Sequence, residues 1–383
     1  MEEIPQEEEL VEENISPTAA KDDYMVVSSL GTGKFATVYR AVHTGEDLSS
    51  MFYAVKRNYH ASVAEREIKA LKKLEETKNV VKMFDIMYEN PKVLSIVLEL
   101  CREDFFNILI VKKISIGLPE MKNVIYQFLQ GLQAIHSQKI IHGDIKSANL
   151  LISFDGVIKI CDFGSSIVCE PVEDASLETA TNEICGLWYK APEVLLGDVN
   201  LSDKVDLWAA GCVIFEFWSN QILFKGNTER LQLISITQTC GFVSEEIWEG
   251  VKNLDAHRYC KYRMWARKYL TNHLRGKLDR VTSSFQPGTD LMLSLLNLNP
   301  DKRKSAEDLL AHEFFGGSNP PADNLSKLIR RLDKSLQDVE VPTYLHDACF
   351  CVDKKVENDV KEMPDDNSKL WLINEETQTE EAE

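Results

Sequence analysis

From Tyr24 the chain alternates apolar and polar positions. The segments YMVVSSL (24–30) and TVYRAV (37–42) do so on either side of a glycine-bearing turn, and MFYAVKR (51–57) continues the pattern, so three strands are predicted. The period changes at ASVAEREIKALKKLEE (61–76), where Val63, Ile68, Leu71 and Leu74 recur near helical spacing with charges between them. VKMFDIMYE (81–89) and VLSIVLEL (93–100) return to strands. After Cys101 the segments are long and helical, as in NVIYQFLQGLQAIHSQ (123–138) and DLWAAGCVIFEFWSN (206–220). The implied class is α+β: a small β-rich lobe with one helix, residues 23–100, ahead of a larger, mainly helical lobe, residues 101–315. Residues 1–22 are Glu-rich with Pro5 and Pro17 and are predicted to be disordered. Residues 316–383 hold one short predicted helix (NLSKLIRRLDKSL, 324–336), followed by acidic, weakly patterned sequence predicted to be disordered.

Composition adds limits. A chain of 383 residues with 44% hydrophobic content can bury a substantial core. The formal charge of -18 argues against nucleic acid or an anionic membrane as partner, since phosphate surfaces reward clustered positive charge. That charge sits at the ends: residues 1–23 carry nine acids and one Lys, and residues 353–383 carry eleven acids and four Lys. The nine cysteines are scattered, and Cys349-Phe-Cys351, the closest pair, lacks the C-x-x-C repeats of a zinc site, so reduced thiols are expected. MEEIPQEEEL has neither a basic nor an apolar leader region, and Leu94–Leu100 is strand-length and broken by Ser95 and Glu99. Placement in the cytoplasm or nucleus, away from membranes, is the expectation.

Candidate chemistry lies along one ordered series. Gly31-Thr-Gly33-Lys-Phe-Ala36-Thr-Val38 sits between two predicted strands, where missing Cβ atoms let backbone N–H groups approach phosphates; a plain hairpin turn would carry the same glycines. Lys56 lies in Tyr-Ala-Val-Lys on the third strand, and Glu67 on the following helix offers it an ion-pair partner. Then come His142-Gly-Asp144-Ile-Lys146-Ser-Ala-Asn149-Leu-Leu151, Asp162-Phe163-Gly164 and Ala191-Pro192-Glu193. In this order Asp144 would orient a substrate hydroxyl, Lys146 would neutralise a transferring phosphoryl group, and Asn149 and Asp162 would hold magnesium.

From Tyr24 to Phe315 the chain resembles a eukaryotic protein kinase, with its bilobal fold, and within that superfamily the cyclin-dependent kinases. Ala61-Ser-Val-Ala-Glu-Arg-Glu67 stands where that family carries its PSTAIRE helix, and Leu187-Trp-Tyr-Lys-Ala-Pro-Glu193 resembles LWYRAPE. Asn299-Pro-Asp-Lys-Arg303 with Ala311-His-Glu-Phe-Phe315 resembles the closing DPxKR…AHPFF. The resemblance implies an ATP- and Mg2+-dependent serine/threonine kinase of protein substrates, in cell-cycle or transcription control. It implies Leu98 as gatekeeper, Glu99 to Cys101 as the adenine-reading hinge, and Asp104 near the ribose. Leu30, Val38, Ala54 and Leu151 would sandwich the purine. Arg303 would brace Glu193, Asp206 would support the catalytic loop, and a cyclin-like activator would dock on the helix around Ala61–Glu76. Hinge Cys101 reads as a packed, inert thiol.

Three departures from the family stand out. Gly143 replaces the usual Arg before the catalytic Asp and Ile167 another phosphate-receiving Arg, leaving Arg66 alone to meet a phosphate on Thr181. Gly186 replaces a Thr that bridges Asp144 and Lys146, which is expected to loosen both. Lys190 replaces an Arg that shapes the pocket for a proline after the target residue, and a point charge does not reproduce a guanidinium fork. These departures resemble single-subunit fungal kinases that phosphorylate other cyclin-dependent kinases and also read YKAPEVL. The rival from another class is a pseudokinase scaffold or regulatory nucleotide-binding protein. Against it, Lys56, Asp144, Asn149 and Asp162 are all present.

Overall fold

The alternating segments pair into one antiparallel sheet. β1 (Tyr24–Thr32), β2 (Ala36–His43), β3 (Phe52–Asn58), β4 (Met83–Asn90) and β5 (Val93–Glu99) take the order β1-β2-β3-β5-β4. The structure, a computed structural model, describes residues 23–33, 35–45, 51–90, 93–169, 186–254, 273–316, 321 and 324–337. Both acidic ends, Thr181 and the Cys349–Cys351 pair lie outside these residues.

Register sorts the side chains. Val38 pairs with Lys56, and Ala54 with Leu98, so these four share one face of the sheet. Tyr53, Val55 and Val97 take the opposite face and bury a second small cluster with Tyr24 and Ala41. Against the first face packs α1 (Ala61–Lys73), which buries Val63, Ala64, Glu67, Ile68, Ala70 and Leu71 and turns its lysines outward. The helix stops before the predicted Glu76, because Leu74 and Thr77 donate to Leu71 and Leu74 in tighter turns.

The second lobe is built on two helices. α2 (Leu118–Ser137) opens with Pro119 in its first turn and buries Val124, Phe128, Leu132 and Ile135. α4 (Lys204–Ser219) is buried continuously from Val205 to Phe217, and ends where Asn220 turns left-handed at φ 51°. A helix buried all round is the lobe's axis. Around it stand α3 (Pro192–Leu195), α5 (Glu229–Cys240), α6 (His273–Val281), α7 (Gln286–Leu295) and α8 (Ala306–Leu310). Among the described residues five short strands thread the loops: β6 (Glu103–Asp104), β8 (Leu150–Ile152) and β9 (Ile158–Ile160) form one ladder, β7 (Ile140–Ile141) and β10 (Ile167–Val168) another. At two or three residues each, they are too short for alternation to reveal.

The predicted C-terminal helix is present as α9 (Ser326–Gln337) and is no free appendage. Leu325, Leu328 and Leu332 are buried in the main core, Arg331 reaches Glu120 at 2.6 Å, and Asp333 pairs with Arg102 just past the β5 end. The folded body thus continues to Gln337. No helix among the described residues is long and apolar enough to cross a membrane.

Candidate active site

The cleft between the lobes gathers most of the expected residues. Lys56 Nζ lies 2.7 Å from Glu67 Oε2 and 2.6 Å from Asp162 Oδ1. Burial lowers the pKa of the ammonium, but the carboxylates of Asp162 and Glu67 outweigh it and hold Lys56 above its usual range. Burial likewise raises Asp162, yet Lys56 and Lys146 pull it below the ordinary carboxylate range, so it stays ionised. Asp162 sits at φ 65°, ψ 72°, an uncommon conformation for a residue with a side chain. Helix α1 is docked on the same turn: Arg66 Nε donates to Gly164 O at 3.0 Å, and a Cβ at Gly164 would meet Val63 Cγ1 at 2.8 Å. Only glycine allows that approach.

Asp144 is held by three donors. Lys146 Nζ (2.6 Å) and Asn149 Nδ2 (3.1 Å) reach its Oδ2, while the Gly186 N–H reaches Oδ1 at 2.8 Å. The Gly186 N–H, which a Thr would carry as well, binds Asp144 but does not reach Lys146, which meets Asp144 directly through its own Nζ. The loop is braced from below by Asp206, which is buried and accepts from His142 N at 2.8 Å, Gly143 N at 2.9 Å and the His136 ring at 2.9 Å. Gly143 takes φ +77°, and a Cβ there would lie 2.6 Å from Ser165 O, so the backbone itself excludes the family's Arg. Ile167 pairs with Ile141 and packs on the core. At two of the three positions where the family gathers phosphate-binding arginines, this chain has a bare backbone and an apolar clasp, and the third keeps Arg66.

The expected purine walls surround this centre. Gly31 pairs with Val38 across the β1–β2 hairpin, and Gly33 N–H closes the turn on Ala36 O at 2.8 Å. Val38, Ala54 and Leu98 line the sheet side, Leu151 pairs with Asp104 on the other, and Leu30 on β1 is 38% exposed. Among the described residues neither the N–H nor the C=O of Cys101 has a backbone partner, as an adenine-reading hinge requires. Burial pushes the Cys101 thiol up to about 12, which suits an inert thiol. Glu99 pairs with Lys159 at 2.8 Å. Asp104 is buried with its carboxylate accepting from Asn107 N at 2.8 Å and Nδ2 at 2.7 Å, so a ribose would have to share those oxygens.

For a hard cation the donor set is suitable. Asn149 donates its amide N–H to Asp144, and Asp162 Oδ1 accepts from Lys56, so Asn149 Oδ1 and Asp162 Oδ2 are the oxygens that could bind a metal. Few protein ligands plus substrate phosphates suit magnesium.

Three residues gain roles the sequence reading missed. Lys190 Nζ is held by Glu229 Oε1 at 2.5 Å. Buried Gln232 ties two loops, accepting from Gly226 N at 2.8 Å and donating to Trp188 O at 2.9 Å. Glu216 is a buried carboxyl beneath the catalytic loop. A lone acid inside the apolar run WAAGCVIFEFW was a visible signal, because such residues are almost never fully buried without a reason.

A lysine paired with a helix glutamate, a braced catalytic-loop Asp, and a metal-competent Asn–Asp pair in the cleft of a bilobal fold define a protein kinase. The protein kinase domain family matches residues 24–315, and the chain belongs to it, in the cyclin-dependent-kinase branch, as a protein serine/threonine kinase. The chain is 32% identical to cyclin-dependent kinase 9 of Homo sapiens over 333 residues, covering 83% of this chain and 87% of that protein. It is 32% identical to cyclin-dependent kinase 9 of Danio rerio over 316 residues, covering 78% and 82%. Among solved structures it resembles a chain of the yeast RNA Pol II CTD kinase CTDK-1 complex, with TM-score 0.69 and 27% identity over 80% of this chain and 97% of that one. A pseudokinase is not favoured. Members of the family use ATP and Mg2+.

Proposed function

We propose that this kinase phosphorylates serine or threonine in the RNA polymerase II C-terminal domain or an associated factor, in the nucleus, with a cyclin-like partner on the exposed face of α1. The likeness to cyclin-dependent kinase 9 and to the CTDK-1 complex carries this reading. Lys56, fixed by Glu67, would anchor the ATP phosphates; the hinge from Glu99 to Cys101 would read adenine, with Leu30, Val38, Ala54, Leu98 and Leu151 packed on the purine. Asp144 would orient the attacking hydroxyl, and Lys146 would offset charge on the transferring group. Asn149 and Asp162 would hold magnesium, which when bound would supply further positive charge at the phosphates. The test is a phosphotransfer assay of the chain, alone and with a co-expressed cyclin, on a polymerase C-terminal-domain peptide. No incorporation into that peptide, with strong labelling of another cyclin-dependent kinase's activation segment, would favour the activating-kinase reading instead.

Two variants probe the departures. With Arg66 committed to Gly164 and no arginines at positions 143 and 167, Thr181→Ala should lower kcat by less than about tenfold, the worth of one charge-assisted contact. Loss of nearly all activity would refute it. At Gly186 an added Cβ would lie 3.8 Å from both Asp144 Oδ1 and Lys146 Cδ, ordinary contact with room for a hydroxyl. Gly186→Thr should therefore raise kcat about threefold to tenfold, one added hydrogen bond's worth. A fall in kcat would mean that the glycine backbone, not the missing hydroxyl, is what this site requires.

A further inference from the structure

Two residues, Tyr59 and His60, connect β3 to α1. Three Cα steps span at most about 11 Å, so the start of α1 stays close to the end of β3. Both residues are exposed, Tyr59 at 44%, yet both reach back to the glycine turn between β1 and β2. The Tyr59 N–H donates to Phe35 O at 2.9 Å. The Tyr59 hydroxyl meets Thr37 Oγ1 at 2.5 Å, and Thr37 Oγ1 donates to Thr32 Oγ1 at 3.3 Å. A hydroxyl carries one proton, so with Thr37 donating to Thr32 the Tyr59 O–H is the donor to Thr37. Three hydroxyls in a row thus run from the link to β2 and on to β1. The Phe35 ring meets the His60 ring edge-on, with centroids 6.0 Å apart.

The link therefore touches both devices that would act on the phosphates. Gly31 and Gly33 give the turn conformational freedom, and Thr37, only 5% exposed, is the point at which it is tied down. On the other side His60 is the N-cap of α1, its C=O accepting from Ala64 N at 3.3 Å. About two turns further along the helix, Glu67 holds Lys56 at 2.7 Å. A displaced turn would pull on Tyr59 and, through a link with no slack, on α1.

We propose that Tyr59 is a positioning residue whose hydroxyl latches the glycine turn onto the start of α1, so that the turn over the ATP phosphates and the Lys56–Glu67 pair are held as one unit. This rests on the kinase reading of the cleft. Without the latch the turn is closed for a smaller fraction of the time. The apparent affinity for ATP falls by that fraction, while saturating nucleotide draws the turn back. The loss belongs in KM and not in kcat.

The experiment compares Tyr59→Phe, Thr37→Val, Thr37→Ser and the double variant Tyr59→Phe with Thr37→Val, each in the full chain, by ATP-dependent kinetics on a peptide. Tyr59→Phe and Thr37→Val should each raise the KM for ATP about threefold to tenfold, the worth of one hydrogen bond, with kcat within about twofold of wild type. Thr37→Ser keeps the hydroxyl and should behave as wild type, and the double variant should be no worse than either single one. Additive losses, or a fall in kcat at unchanged KM, would overturn the proposal. Hydrogen exchange of the chain without nucleotide, read by NMR, decides independently of turnover. In Tyr59→Phe the Gly33 N–H, bonded to Ala36 O, and the Ala64 N–H, bonded to His60 O, should both exchange about threefold to tenfold faster. Quickening of one alone or of neither overturns the latch, and quickening that spreads into α4 overturns it as a merely structural effect. A wild type that binds no nucleotide while both amides quicken in Tyr59→Phe would count against the kinase reading and leave the latch standing.

Discussion

Replacing Asp144 by Asn is expected to lower phosphotransfer about a thousandfold, within the span usual for losing a positioned acid–base group, while nucleotide binding persists. The geometry says why so conservative a change costs so much. Both Asp144 oxygens are acceptors for fixed donors: the Gly186 N–H on one side, Lys146 and Asn149 on the other. An amide in that place turns an NH2 group toward one of those donors, so one bond becomes a donor–donor clash. The substrate hydroxyl then has no oriented acceptor. The purine walls and Lys56 lie elsewhere in the cleft, so the affinity for a fluorescent ATP analogue should hold. A variant that bound the analogue and transferred phosphate at close to the wild-type rate would sink the assignment of Asp144.

Much of this was legible in the sequence for a definite reason. Strand alternation around 24–57 and the helical period at 61–76 are local signals, and the site residues fall in short motifs whose order is that of the fold. Lys56 and Glu67 could be paired on paper because they lie 11 positions apart on consecutive elements, β3 and α1. What stayed hidden depends on contacts between distant segments. The backbone N–H of Gly186 has no sequence signature as a donor to Asp144, since any residue but proline carries one. Gly143 reads as a missing Arg, whereas in space it is a positive-φ position pressed on Ser165. The Lys190–Glu229 pair spans 39 positions of sequence and crosses from a loop to the start of α5. Helix α9 was visible as an amphipathic period, yet the partners that hold it, Arg102 and Glu120, lie more than two hundred residues away.

The largest stability effect should follow from breaking the pair of Arg303 with Glu193. The guanidinium grips the carboxylate with both Nη1 (2.5 Å) and Nη2 (2.7 Å), donates from Nε to Asn297 O at 2.8 Å, and lies over the Trp208 ring at 5.1 Å. Both side chains are essentially inaccessible, at 0% and 3%. Arg303→Met leaves the Glu193 carboxylate buried without a counter-charge, which should cost about 3–5 kcal/mol in urea unfolding. That is a large share of a typical domain's stability. Removing the stranded charge as well, in Arg303→Met with Glu193→Leu, should restore much of the loss, because the desolvation cost leaves with the ion pair. Activity should not return with it. Glu193 sits in α3, directly after the segment that carries Gly186, Tyr189 and Lys190, and a bidentate fork fixes direction in a way that apolar packing cannot. A stable double variant with restored kcat would mean that the pair serves folding alone; a stable but slow one would place it in the bracing of that segment.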